Sequence, residues 1–334
     1  LIKYIKPLTV ASSKGLLSEM YNQIRRDIGT VVEPYVLHSS SPHLLAGFWA
    51  VLRETTLVGI VPRAVKEAVS AAVSKVNQCP YCVDAHTMML IAAGNNEVAQ
   101  KISKDQTDGI SDLRMNSIVK WSLATRSPRS SILLNPPFTA QEAPEIIGTA
   151  VSYHYINRMV SVLLSETPLP TANPLLKNIF KRVGAKIFSS SLKKRKTPGD
   201  SLQFLPDAPL PDDLHWAKSH PIISRAFACF AAVTDTAGES ILTEETRSIV
   251  RHYIDAWGRN WLEQTVKSLS EPSKTAGKLA LLTAIAPYQV DDEMIRDFRS
   301  IYKEDVQLLN VLAWSSFTAA RKIGTWLSFP TKEV

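Results

Sequence analysis

Apolar residues recur three and four positions apart along almost the whole of this 334-residue chain, and no alternating apolar–polar run is bounded by hairpin turn signals. A chain patterned this way buries helical stripes and has no strand with one face to cover. The fold class it predicts is therefore all-α. Helices are expected over 42–54, 62–77, 80–93, 112–125 and 143–165, and again over 222–236, 243–257, 273–285, 293–302 and 306–327. Pro42, Pro62 and Pro80 open three of them, where a missing N–H costs nothing, and Asp112 and Thr243 stand where a cap belongs.

Length allows two domains of ordinary size. The stretch 189–220 contains Lys193-Lys194-Arg195-Lys196-Thr197-Pro198-Gly199-Asp200 and then Pro206, Pro209 and Pro211, the composition of a linker. The expected division is thus 1–188, a linker 189–220, and 221–334. The two halves resemble one another: 41–52 matches 219–230 in residue type, and 151–160 occupies the same relative place as 312–321. A diverged tandem duplication follows. Aligned on the helices opening at Pro62 and Thr243, Glu67 falls on Ser248, Cys79 on Asn260, Cys82 on Glu263 and His86 on Lys267, so the second copy is degenerate.

The formal charge of +7 is spread along the chain except at Lys193-Lys194-Arg195-Lys196, and no helix alternates basic residues with stacking aromatics. That run reads as a solvated loop, and nucleic acid is not expected as a partner. No segment offers 18 uncharged apolar residues, and the N-terminal Leu-Ile-Lys-Tyr-Ile-Lys-Pro breaks the apolar core a signal peptide needs. No span, no membrane partner and no export are expected. Three cysteines, Cys79, Cys82 and Cys229, do not make a disulfide scaffold and fit a reducing, cytoplasmic setting.

Chemistry concentrates at Cys79-Pro80-Tyr81-Cys82 with His86 four residues on and Glu67 twelve residues before. Pro80 at the first helical position puts Cys79 at the N-cap and Cys82 two residues further in, near unpaired N–H groups and the positive end of the helix dipole, which favour a thiolate. His86 follows one turn later on the same face, and a carboxylate at Glu67 on the preceding helix is suited to orient it. Cys82 thiolate attacking a peroxide O–O bond would give a sulfenic acid that Cys79 condenses to a disulfide. Zinc is the other use of a CxxC pair, but Cys79, Cys82 and His86 make three ligands and Cys229, in an apolar helix, reads as core. Trp49, Met88, Met89 and Tyr153 are candidate pocket residues, and His154 with Asn157 are candidates to approach the site from the last helix of the first half.

Glu67, Cys79, Tyr81, Cys82 and His86, as E-x11-C-x-Y-C-x3-H, resemble the signature of the alkylhydroperoxidase D-like branch of the carboxymuconolactone decarboxylase superfamily. The resemblance covers roughly residues 40 to 165. It implies a tandem pair of that family's helical units and a cysteine peroxidase reducing hydrogen peroxide or organic hydroperoxides. Cys82 would be the peroxidatic and Cys79 the resolving cysteine, with Glu67 and His86 as proton relay. It also implies no metal, haem or flavin, a lipoyl or thioredoxin-like dithiol donor, and a homo-oligomer; a fused pair of units would close as a homotrimer. Tyr81 departs from the second histidine often found between the family's cysteines. A general dithiol–disulfide oxidoreductase and a redox-sensing assembly protein without turnover are the alternatives.

Overall fold

The computed structural model describes residues 2–165, 167–169, 173–257 and 265–327. Its helices in chain order are α1 (Gly15–Ile28), α2 (Glu33–Val36), α3 (Pro42–Leu52), α4 (Arg63–Val76), α5 (Pro80–Ala92), α6 (Asn96–Ser103), α7 (Leu113–Ala124), α8 (Ala143–Leu163), α9 (Pro174–Lys193), α10 (Pro221–Glu239), α11 (Glu244–Ala256), α12 (Ser273–Ile285), α13 (Asp292–Ile301) and α14 (Asp305–Leu327). No β-strand occurs among the described residues, and the one extended pairing is an isolated bridge between Ile2 and Leu164. The all-α expectation holds. Start signals act as expected: Asp112, Thr243 and Asp291 accept hydrogen bonds from Met115, Thr246 and Met294 N–H, and Pro42 and Pro80 sit in first turns.

The two stretches matched between the halves lie against each other in space. α3 packs on α10, α8 packs on α14, and Phe230 lies so close to Gly47 that a Cβ there would overlap its ring. One hydrophobic core therefore runs through both halves, with Phe48, Tyr155, Phe227, Phe230 and Phe317 at their junction. Ser248 lies in α11, whereas positions 260 and 263, aligned with the cysteines, fall outside the described residues.

The stretch expected as a linker is packed instead of free. α9 extends through 193, Leu214 and Ser201 are fully buried, and Leu202 and Trp216 nearly so. Beyond α3 the chain widens into a π-helical turn, Arg53–Leu57, whose Arg53 and Glu54 are buried. Arg53 pairs with Asp27 at 2.6 Å and Glu54 at 2.6 Å and donates to the Thr197 carbonyl at 2.9 Å. Glu54 in turn accepts from Gly199 N–H at 2.9 Å and the Ser201 hydroxyl at 2.7 Å. A loop whose backbone satisfies buried charges is held in place, whatever its composition.

A second buried pair fixes α4 to α8. Lys66 and Glu145, both nearly inaccessible, meet at 2.5 Å, and Glu145 also accepts from the N–H groups of Ile60 and Val61 at 2.8 and 3.1 Å. Gly59, at φ 109°, makes that turn; a Cβ there would fall on the Glu145 carboxylate. Among the described residues no helix is long and apolar enough to cross a membrane.

Candidate active site

α4 and α5 pack side by side, joined by the short turn Asn77-Gln78, with Gln78 at φ 55°. The Cys79 N–H donates to the Ser74 carbonyl at 3.0 Å, which closes α4 and leaves Cys79 as the N-cap of α5. Pro80 takes the first helical position, as the sequence predicts. The two thiols are free and buried, with their sulfurs 2.9 Å apart. A disulfide of about 2.05 Å is within geometric reach once an oxidant removes two electrons and both thiols lose their protons.

The expected helix-terminus effect on Cys82 is outweighed. Burial pushes its thiol well above the ordinary range, the neighbouring Cys79 pushes the same way, and a hydrogen bond with Asn157 pulls it down. A thiol in that environment keeps its proton near neutrality. Reaction then requires a base close at hand.

The structure brings Glu67 and His86 together. Glu67 Oε2 lies 2.7 Å from His86 Nδ1, and Glu67 Oε1 lies 2.6 Å from Arg63 Nε. Burial alone would raise the pKa of so enclosed a carboxyl, yet the Arg63 charge, followed by His86, lowers it from 4.5 to about 2. Glu67 is therefore ionised, and it fixes the imidazole with Nδ1 as the donor. His86 is also seated edge-on against the Tyr153 ring, with centroids 4.5 Å apart. The Tyr153 phenol is held protonated by burial.

A cavity of about 290 Å³ opens in front of this cluster. Cys82, His86, Arg63 and Tyr153 line it, together with apolar residues that include Phe48, Leu52, Ile156, Leu169 and Phe188. Cys79 is not among the lining residues; it meets the cavity only through its contact with Cys82. Met88, Met89 and Tyr153 line the cavity as expected. Trp49 does not: it is fully buried, its indole N–H donates to Gln23, and its neighbour Phe48 faces the cavity instead.

Asn157, expected from the sequence only as a polar residue able to approach, is the amide beside Cys82. It donates to Ser74 Oγ at 3.0 Å and accepts from Asn77 Nδ2 at 3.0 Å. His154 lies between Asn77 at 3.0 Å and Thr125 Oγ1 at 2.9 Å, kept neutral by burial and the nearby Arg158 and Arg126 charges. Arg158 reaches the second half, donating to the Ala284 carbonyl at 2.8 Å. Residues of the C-terminal half thus brace the helix that carries Asn157.

Two residues of the site do not stand out in the sequence. Arg63 carries an available signal, an Arg–Glu spacing of four on one helix face. Glu33, which accepts from Tyr81 OH at 2.8 Å and ties α5 to α2, carries none, because 48 positions separate the pair. Cys229 is buried, with its sulfur 3.1 Å from the Pro206 carbonyl. Among the described residues no three His, Cys, Asp or Glu side chains are grouped to hold a metal ion.

Residues 42–101, which contain all four candidate site residues, match the carboxymuconolactone decarboxylase family. Over nearly its whole length the chain is also similar to an alkyl hydroperoxide reductase of Mycobacterium tuberculosis, with 38% identity over 333 residues covering 98% of this chain and 95% of that protein.

Proposed function

The chain belongs to the carboxymuconolactone decarboxylase family, and we propose that it is a thiol peroxidase in which Cys82 reacts with peroxide, Cys79 resolves, and Glu67 and His86 move the proton. The observation that carries this reading is that Cys82 and His86 line one apolar cavity, with the Cys79 sulfur 2.9 Å from that of Cys82 and Glu67 2.7 Å from His86. His86, held by Glu67, takes the Cys82 proton. The thiolate attacks one oxygen of the peroxide, forming an S–O bond and breaking the O–O bond; the departing alkoxide receives a proton and leaves as alcohol or water. Cys79 sulfur then displaces hydroxide from the sulfenic acid, giving the disulfide and water. A dithiol donor, lipoyl or thioredoxin-like, returns both thiols and is itself oxidised.

The alternative of a general dithiol–disulfide oxidoreductase asks a protein disulfide to be the first oxidant at cysteines that are 1% and 3% exposed, an enclosure that the returning dithiol must also enter, which favours a slender lipoyl-type donor over a thioredoxin-like protein. A small hydroperoxide entering the cavity meets no such obstacle. The apolar walls also support organic hydroperoxides over hydrogen peroxide as the preferred substrate. The two-copy reading goes with this assignment: the first unit, 1–188, carries the chemistry, the packed segment 189–220 joins it to 221–334, and the second unit braces α8. Stopped-flow mixing of reduced protein with cumene hydroperoxide, with and without a sulfenic-acid trap, tests the assignment; a rate no faster than that of free cysteine would contradict it.

A further inference from the structure

α9 roofs the cavity. Its inner face places Phe188 on the cavity wall, Lys181 in contact with Asp84 and Thr87 of α5 at 2.8 Å each, and Gly184 against Met88, where a Cβ would overlap the Met88 sulfur. The opposite face is also apolar. Leu176, Ile179, Phe180 and Val183, spaced three and four apart, are all exposed, Ile179 and Val183 by more than half. Exposed Arg182 and Lys186 lie along one edge of that stripe.

The charge of the same stretch is one-sided. Residues 174–196 hold eight Lys or Arg and no Asp or Glu, a formal +8 against +7 for the whole chain, so the remainder is close to neutral. A water-facing helix does not need four large apolar residues in a row on its outer side. A helix with an apolar outer stripe, a basic edge and no acid has the composition of one that lies in the plane of an anionic membrane surface.

We propose that α9 is a membrane-surface helix: its outer stripe inserts into the interfacial region of an anionic bilayer, with the basic residues at its edge on the lipid headgroups. The absence of a spanning helix bears only on crossing, and a helix lying at the interface needs no span. A second copy of the chain is the competing occupant. Two α9 helices packed face to face would bring five basic residues against five, Lys181 of each set being paired here with Asp84, whereas a bilayer supplies negative charge and an apolar layer to one face at once. Docking is measured without turnover, so it stands or falls apart from the peroxidase reading.

The test is co-sedimentation of the full chain with phosphatidylcholine vesicles, with and without phosphatidylglycerol. Binding is expected to the anionic vesicles and to weaken as salt rises. Ile179→Glu combined with Val183→Glu, both exposed, should lower it by roughly tenfold or more while circular dichroism stays unchanged. Arg182→Glu with Lys186→Glu should lower it by a similar factor. Absence of binding to anionic vesicles would overturn the proposal, as would binding that survives Ile179→Glu/Val183→Glu. So would a fall in mass by light scattering in that variant without vesicles, which would make the stripe an interface between copies.

Discussion

Replacing Arg63 by Gln should raise the pKa of Glu67 toward the ordinary carboxylate range and weaken the fold by an amount set by pH. Glu67 is inaccessible to water, and burial opposes its charge; Arg63, at 2.6 Å, does most to favour that charge, and His86 comes next. The fall from 4.5 to about 2 corresponds to about 3 kcal/mol of preference for the carboxylate in the folded protein. Because the folded pKa lies below the unfolded one, that stabilisation is fully present above about pH 4.5 and is lost as pH falls toward about 2. Arg63 is partly exposed, which screens its share, so Arg63→Gln should cost about 2 kcal/mol near neutrality and much less at about pH 3. Urea unfolding of both proteins across that range measures the difference. In a Glu67→Gln background the same change should cost less than about 0.5 kcal/mol, since no carboxylate is left to hold. An equal cost in both backgrounds, or one independent of pH, would mean that Arg63 does not hold the Glu67 charge. As a positioning residue, Arg63 should also move the acid limb of the peroxide-reaction profile upward when changed to Gln, with partial return in Arg63→Lys.

Lys66→Ala should destabilise by about 3 to 5 kcal/mol in urea unfolding, because Glu145 would be left buried with backbone donors alone, and a cost below about 1 kcal/mol would show the pair to be solvated. Asn157→Ala should raise the pH at which Cys82 thiolate absorbance appears, since the amide bond that favours the charged sulfur is gone; an unchanged titration would remove Asn157 from the site. Light scattering should give three times the chain mass of 37.0 kDa, and a mass near one chain would sink the trimer while leaving the site untouched.

How much of the molecule is legible in the sequence depends on the range of the forces involved. Pro80 at the first turn, the apolar stripe of α4 and the spacing of Cys79, Cys82 and His86 are local signals, and each element forms where its pattern points. At Cys82 the sequence misleads, because helix termini are visible in it and burial is not. The segment after α9 reads as a linker because its anchors, Arg53 and Glu54, lie about 145 positions away and its buried Leu214 and Trp216 are scattered among prolines. α9 itself has no clear signal, since its apolar residues fall on two opposite faces, which blurs the single stripe that marks a half-buried helix. Trp49 and Phe48 are neighbours on α3 with one facing inward and one facing the cavity, a choice decided by α1 through Gln23.

Which of the two cysteines meets peroxide first is decided by trapping. Reduced Cys79→Ser and Cys82→Ser are each mixed with cumene hydroperoxide and a sulfenic-acid trap, followed by mass spectrometry of the intact chain and its peptides. With Cys82 peroxidatic and Cys79 resolving, one trapped adduct forms on Cys82 in Cys79→Ser and none forms at Cys79 in Cys82→Ser. An adduct on Cys79 in Cys82→Ser, with none in Cys79→Ser, would contradict that order.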